Sequence, residues 1–210
     1  DMLGGKDPYS ASKAAAEFVI SSFRESYRGS GAPKIAVARG GNIIGGGDWS
    51  EDRLIPDVIR ASYGNDKLEI RNPNSTRPWQ HVLSLVEGYI EIMAGLIGKN
   101  NSNFDQAFNL GPIYESPVSV KSLIEYIQVS LPELKFAFKP ADLHEESLLS
   151  LDSRLAVEVF GWQPEWDTSE SIQKTIEWYK NYYENPGQAR QLCLEQIDSW
   201  NNGVQRQSGV

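Results

Sequence analysis

The sequence predicts an α/β fold built as a doubly wound layer, and three observations carry that expectation. A helical pattern over residues 8–27 runs through a glycine stop into a short apolar run at 34–39. That run lacks strict alternation, as expected of a strand buried on both faces of a parallel sheet. A glycine-dense stretch follows at 40–51, at the carboxyl end of the strand, where open α/β sheets bind ligands.

The elements follow in order. Residues 1–6 read as a loop. Asp7 is a good N-cap, and Pro8 suits the first helical position because no amide proton is needed there. Ala11, Ala14, Ala15, Ala16 and Glu17 continue the helix. Glycine in 40–51 either lets backbone approach a ligand or makes an ordinary flexible loop. Residues 54–63 read as a helix broken at Gly64-Asn65-Asp66, and 68–70 as a short strand. Residues 77–82 lead into a helix whose stripe of Val86, Tyr89, Ile90, Met93 and Ile97 has core spacing. Residues 107–112 give a strand and turn. Ser119 caps a helix with Val120, Leu123, Ile124, Ile127 and Leu131 on one face, and 134–138 form a strand. A helix at 153–160 ends in Gly161-Trp162-Gln163-Pro164, where Trp162 and Pro164 pack. Asp167 or Thr168 caps a helix with Ile172, Ile176, Tyr179 and Tyr183 on one face. Pro186-Gly187 interrupts, a last helix ends near Trp200, and the tail from Asn201 is expected to be disordered.

Composition narrows the function. With 40% hydrophobic and 23% charged residues, 210 residues support one substantial core, or one and a half domains. A net charge of −8 and a pI near 4.9 argue against nonspecific nucleic-acid binding, which needs a basic face. No apolar run approaches the roughly 18 residues of a membrane span. Cys193 is the single cysteine, which suits a reducing, cytoplasmic compartment. His81 and His144 are the only histidines, so no metal site is expected; His144 lies in an acidic loop and is assigned no role.

Tyr9 and Lys13 are the candidates for chemistry, against the plainer reading of an amphipathic helix that merely contains a Tyr and a Lys. Positions i and i+4 share a helix face, so a phenol and an ammonium can address one small molecule. A nearby ammonium favours the ionised form of a phenol, which is the requirement for an acid/base near neutral pH. Arg53 and Arg77 are the charged candidates for a diphosphate, because guanidinium forks match its oxygens. Trp79 is open between stacking on a base and wedging into the structure. His81 reads as a structural or substrate-side residue and not as a metal ligand.

These stretches resemble the extended short-chain dehydrogenase/reductase family. The residues that carry the resemblance are Pro8-Tyr9-Ser10-Ala11-Ser12-Lys13, then 34–45 with Gly40-Gly41-Asn42-Ile43-Ile44-Gly45, then Gly46-Gly47-Asp48-Trp49, 52–57 and 71–82. Within the family they look most like the nucleotide-sugar 4,6-dehydratases that act on CDP-glucose. The resemblance spans about residues 1–200. It implies a Rossmann-like doubly wound sheet, of which residues 1–45 are the C-terminal part. It further implies a smaller α/β substrate domain over 46–200 with interleaved returns to the Rossmann sheet, and a tail at 201–210.

The resemblance implies NAD as cofactor, CDP-glucose as substrate and a homodimer paired through the Tyr9 helix. Tyr9 and Lys13 are then catalytic and touch the cofactor, with Arg39 and Ile43 beside it. Asn42, Arg53, Leu54, Arg77 and His81 fall to the substrate. A glycine-rich phosphate loop, a catalytic Ser or Thr and the groups that expel water are expected before residue 1, so the chain reads as the C-terminal portion of a longer enzyme. A nucleotide-sugar 4-epimerase and a non-catalytic sugar-nucleotide binding module are the alternatives.

Overall fold

The computed structural model describes residues 4–5, 7–98, 101–113, 117–139 and 148–207. In chain order the elements are α1 (Pro8–Tyr27), β1 (Val37–Gly40), β2 (Asn42–Ile44), α2 (Leu54–Gly64), β3 (Lys67–Arg71), β4 (Thr76–Arg77), β5 (Trp79–His81) and α3 (Val82–Ile97). They continue as β6 (Ala107–Leu110), β7 (Val118–Ser119), α4 (Val120–Ser130), β8 (Lys135–Lys139), α5 (Arg154–Phe160), α6 (Thr168–Glu184) and α7 (Ala189–Gln207). His144 lies outside the described residues.

The strands pair in short ladders, most of them parallel, as the alternation of helix and strand requires. β1 runs parallel to β6 with Ala38 opposite Phe108, and β2 parallel to β5 with Asn42 opposite Trp79. β3 runs parallel to β8, and β4 pairs antiparallel with β7.

Two cores result. The first is built on β1 and β6, where Phe108 and Leu110 pack with Ile92 of α3, Ala156 of α5 and Trp162. The second gathers Ile55, Val58 and Ile59 of α2, Ile70, the buried face of α4, and Ile172, Ile176, Trp178 and Tyr179 of α6. The chain leaves the first core after β1 and returns to it with α3, β6 and α5, so neither core is one continuous stretch of sequence. Each of the large apolar side chains in these cores contributes about 1.5–3 kcal/mol by leaving water.

α1 is laid along β1 by polar ties at its middle and near its C-terminal end. The Glu17 carboxylate takes a fork from Arg39, with Nε to Oε1 at 2.6 Å and the terminal nitrogen to Oε2 at 2.8 Å. Arg24 donates to the Ile35 carbonyl at 3.1 Å and pairs with Asp105, which also accepts the Ile35 amide.

Three expectations are corrected. The stripe Val86, Tyr89, Ile90, Met93 and Ile97 is exposed, and Ile97 is 81% accessible. α3 turns Ser84, Gly88 and Ile92 inward, and at Gly88 β6 lies too close for any side chain. A Cβ on Gly88 would stand 2.6 Å from Leu110 Cδ1. The tail is helical through Gln207, since Trp200 is buried edge-on against Trp166 at 4.9 Å and holds the end of α7 down. The first strand starts at Val37, three residues later than the apolar run suggests.

Candidate active site

Asp7 fixes the start of α1. Its carboxylate accepts the amides of Tyr9 at 2.9 Å and Ser10 at 3.0 Å, and the Ser10 hydroxyl closes a capping box. The first turn is thereby set, and with it the two side chains of interest. Lys13 Nζ lies 5.5 Å from the centre of the Tyr9 ring, within cation–π range. Tyr9 is 73% accessible. Among the described residues neither its hydroxyl nor the Lys13 ammonium has a hydrogen-bonding or ionic partner, so both are available to a ligand.

The second group of residues lies on the β2–β5 ladder and the loop after it. The Asn42 amide donates to the Pro78 carbonyl at 2.9 Å, and Ile44 stands opposite His81. Asn42 and Ile43 thus sit two and three residues beyond the carboxyl end of β1, alongside the strand that follows Arg77. The Arg77 guanidinium is turned back on its own strand and donates to the Thr76 carbonyl at 2.8 Å.

Arg53 caps α2 by backbone geometry alone, with Leu54 as the first helical residue. The Arg53 side chain is 63% accessible and reaches Asp48 at 3.5 Å. Burial works to raise the Asp48 carboxyl, but hydrogen bonds from Ser50 and the charge of Arg53 hold it below its usual range.

Four candidate ligand contacts are taken up by the protein itself. The glycines of 40–51 serve close packing. A Cβ on Gly45 would meet Val82 at 2.8 Å, one on Gly41 would collide with Pro78, and one on Gly46 with the Trp178 indole. The Arg39 guanidinium is shared by Glu17 and Asn109, and it holds the Glu17 carboxyl below its usual range. His81 is 1% accessible and is the N-cap of α3, its Nδ1 accepting the Leu83 amide at 3.3 Å. Burial first, and Lys174 second, push its pKa down to about 4, so it is a neutral structural cap at ordinary pH. Trp79 is buried in the second core and is not available for base stacking.

Sequence reading missed two residues that shape the site. Glu17 reads in the sequence only as a helix former, and its partner lies 22 positions away. Tyr179 reads only as apolar, yet its hydroxyl donates to the Asp48 carbonyl at 2.6 Å. A tyrosine inside an apolar stripe is itself a signal, since a buried phenol needs a partner.

A parallel α/β layer carrying a free Tyr–Lys pair at the start of its helix defines the fold class: a Rossmann-type fold of the extended short-chain dehydrogenase/reductase kind. A family profile described as "GDP-mannose 4,6 dehydratase" matches residues 2–175, and the chain belongs to that family. It is 37% identical over 188 residues to the CDP-glucose 4,6-dehydratase of Salmonella typhimurium, covering 85% of this chain and 51% of that protein. It is 26% identical over 185 residues to the human dTDP-D-glucose 4,6-dehydratase, covering 85% of this chain and 50% of that one. The chain therefore spans about half the length of the curated relatives it matches. Among solved structures, the dTDP-glucose 4,6-dehydratase DesIV of Streptomyces venezuelae, with NAD and TYD bound, superposes with a TM-score of 0.72 at 20% identity. That match covers 91% of this chain and 55% of DesIV. The UDP-glucuronic acid 4-epimerase of Bacillus cereus gives 0.69 at 17% identity, over 87% of this chain and 58% of that one.

Proposed function

We propose that this chain is the acid/base and substrate-binding portion of an NAD-dependent nucleotide-sugar 4,6-dehydratase that converts CDP-glucose to CDP-4-keto-6-deoxy-glucose. The observation that carries the reading is the pair of free, adjacent Tyr9 and Lys13 side chains on a helix start fixed by Asp7. The 37% identity to a CDP-glucose 4,6-dehydratase supports the choice of nucleotide and reaction.

The chain's own groups fit the cofactor in part. An exposed ammonium beside a phenol suits a ribose hydroxyl, so Lys13 holds the nicotinamide ribose and Tyr9 faces the reacting sugar. Ile43, in β2 opposite Gln80, is assigned to the cofactor with them. Arg39 is occupied by Glu17, and the glycines of 40–51 are filled by protein, so no phosphate cradle is assigned to either. When bound, NAD supplies the acceptor for hydride from C4 and the donor of hydride to C6. Tyr9 takes the proton of the sugar 4-hydroxyl as C4 is oxidised, and Lys13 keeps a positive charge beside it. Loss of water across C5 and C6 falls to groups outside the roles assigned here.

On the substrate side, Arg53 offers an accessible cation to the diphosphate, and Asn42 and Leu54 are assigned to the same ligand. Arg77 contributes from the strand before β5. Residues 46–200, through the core built on α2, α4 and α6, form the substrate part, with α3, β6 and α5 returning to the cofactor layer. Two exposed apolar faces, Val19, Phe23 and Tyr27 on α1 and the stripe on α3, support a homodimer joined through these helices. The lone, exposed and unpaired Cys193 suits a cytoplasmic setting.

A 4-epimerase shares the fold, and mass analysis of the product separates the two. With CDP-glucose and NAD, the natural protein carrying this chain is expected to give a sugar lighter by one water. A product of unchanged mass favours the epimerase, and no conversion contradicts both.

A further inference from the structure

The loop that carries Arg53 is fixed from behind by a helix far away in sequence. The Tyr179 phenol of α6 is buried and donates to the Asp48 carbonyl at 2.6 Å. Its neighbour Trp178 fills the space in front of Gly46, so the loop backbone lies directly on the indole. The Trp49 ring stands edge-on to Tyr179 at 5.3 Å and against Tyr182 at 5.2 Å. From the other side, Arg60 of α2 donates to the carbonyls of Trp49 and Ser50, both at 3.0 Å. The Asp48 carboxylate accepts the Ser50 amide at 3.0 Å, and Asp52 is held at φ +59°, in the left-handed region.

Every tie acts on backbone or on neighbours of Arg53, and its own guanidinium keeps one long contact of 3.5 Å. A rigid frame with a loosely held cation is a preorganised arrangement, in which the ordering cost is met on folding and not on binding. Burial first, and the nearby Asp48 charge second, push the Tyr179 phenol up to about 12, so it remains a donor throughout the working range.

We infer that Tyr179 is a positioning residue for the substrate diphosphate, acting through the Asp48 carbonyl to hold the backbone of the 46–53 loop from which Arg53 projects. This rests on Arg53 binding the nucleotide sugar.

The test compares the natural protein carrying this chain with its Tyr179→Phe, Arg53→Ala and double variants. Tyr179→Phe keeps the ring that Trp178 and Trp49 pack against and removes only the donor. Amide exchange over residues 48–53 is expected to speed up about fivefold in Tyr179→Phe, the loss of one hydrogen bond. The Kd for CDP-glucose, measured by calorimetry, is expected to rise about fivefold as well. In the Arg53→Ala background, Tyr179→Phe is expected to cause no further loss of affinity. Unchanged exchange overturns the anchoring. Faster exchange with unchanged affinity, or an equal loss of affinity with and without Arg53, overturns the positioning role. An Arg53→Ala chain that binds like the wild type overturns the reading of Arg53 and the inference with it. The exchange arm needs no ligand, so it tells that failure apart from a failure of the anchor itself.

Discussion

α3 and α4 carry nearly the same apolar periodicity and do opposite things with it. α4 turns Val120, Leu123, Ile124 and Ile127 into the second core. α3 turns Val86, Tyr89, Ile90, Met93 and Ile97 outward, buries Ser84, and packs on β6 with Gly88 and Ile92. Helical spacing states that a face needs covering; it does not say by what. The distinguishing mark lies on the opposite face. A glycine at position 88 allows close approach to a strand, and the large residues stay exposed on the other face. The caps differ in the same way. Ser119 accepts the Ser122 amide at 3.0 Å with a group that does not titrate, while α3 relies on a buried histidine.

The largest expected effect is on α4. Ile124→Ala should lower the unfolding free energy by about 2–5 kcal/mol in denaturant titration, whereas Ile90→Ala on α3 should cost the isolated protomer far less. An equal cost at both positions breaks the comparison.

Acid should then loosen α3 first. His81 has a folded pKa of about 4 against 6.5 when unfolded, so the unfolded chain takes up the proton first as pH falls. Its stabilising contribution is full above pH 6.5 and is lost by roughly 3 kcal/mol as pH falls to about 4. His81→Asn keeps an acceptor at the cap and is expected to flatten that slope in melting curves at pH 4–7.

The outward face is sharpened by Ile90→Glu or Met93→Glu. Either should weaken self-association at least about tenfold in sedimentation, with little change in protomer melting. A folded variant that associates like the wild type removes the α3 face from the interface.

The smallest effect concerns Glu87, one residue before Gly88. Burial first, then Glu91 and Glu165, raise its pKa to about 7, while a hydrogen bond from Trp200 works the other way. The unfolded chain loses its proton first as pH rises, so stability declines between about 4.5 and 7. Glu87→Gln should melt higher than the wild type at pH 8 and no higher at pH 4.5.

Local signals were the legible ones. Asp7 and Pro8 set the start of α1, Ser119 and Asp167 start α4 and α6, and Gly161 ends α5 at φ +69°. Each acts within a few residues of itself. Tyr9 and Lys13 were legible for the same reason, being one turn apart on a single helix. Contacts across the chain were not. The Glu17–Arg39 fork, the Tyr179–Asp48 bond and the burial of His81 under Trp166 depend on which elements meet, and no spacing encodes that. The glycines of 40–51 show the limit well. The sequence has them at the ligand end of a strand, but Gly41, Gly45 and Gly46 are there because Pro78, Val82 and Trp178 fill the space.

The most direct measurement is turnover of CDP-glucose by the natural protein carrying this chain, with and without Tyr9→Phe. The wild type is expected to form the 4-keto-6-deoxy sugar nucleotide, and the variant to be slower by on the order of 10²–10⁴-fold with unchanged melting. Wild-type rates in Tyr9→Phe, or no product from either protein, would contradict the assignment of Tyr9 as the acid/base.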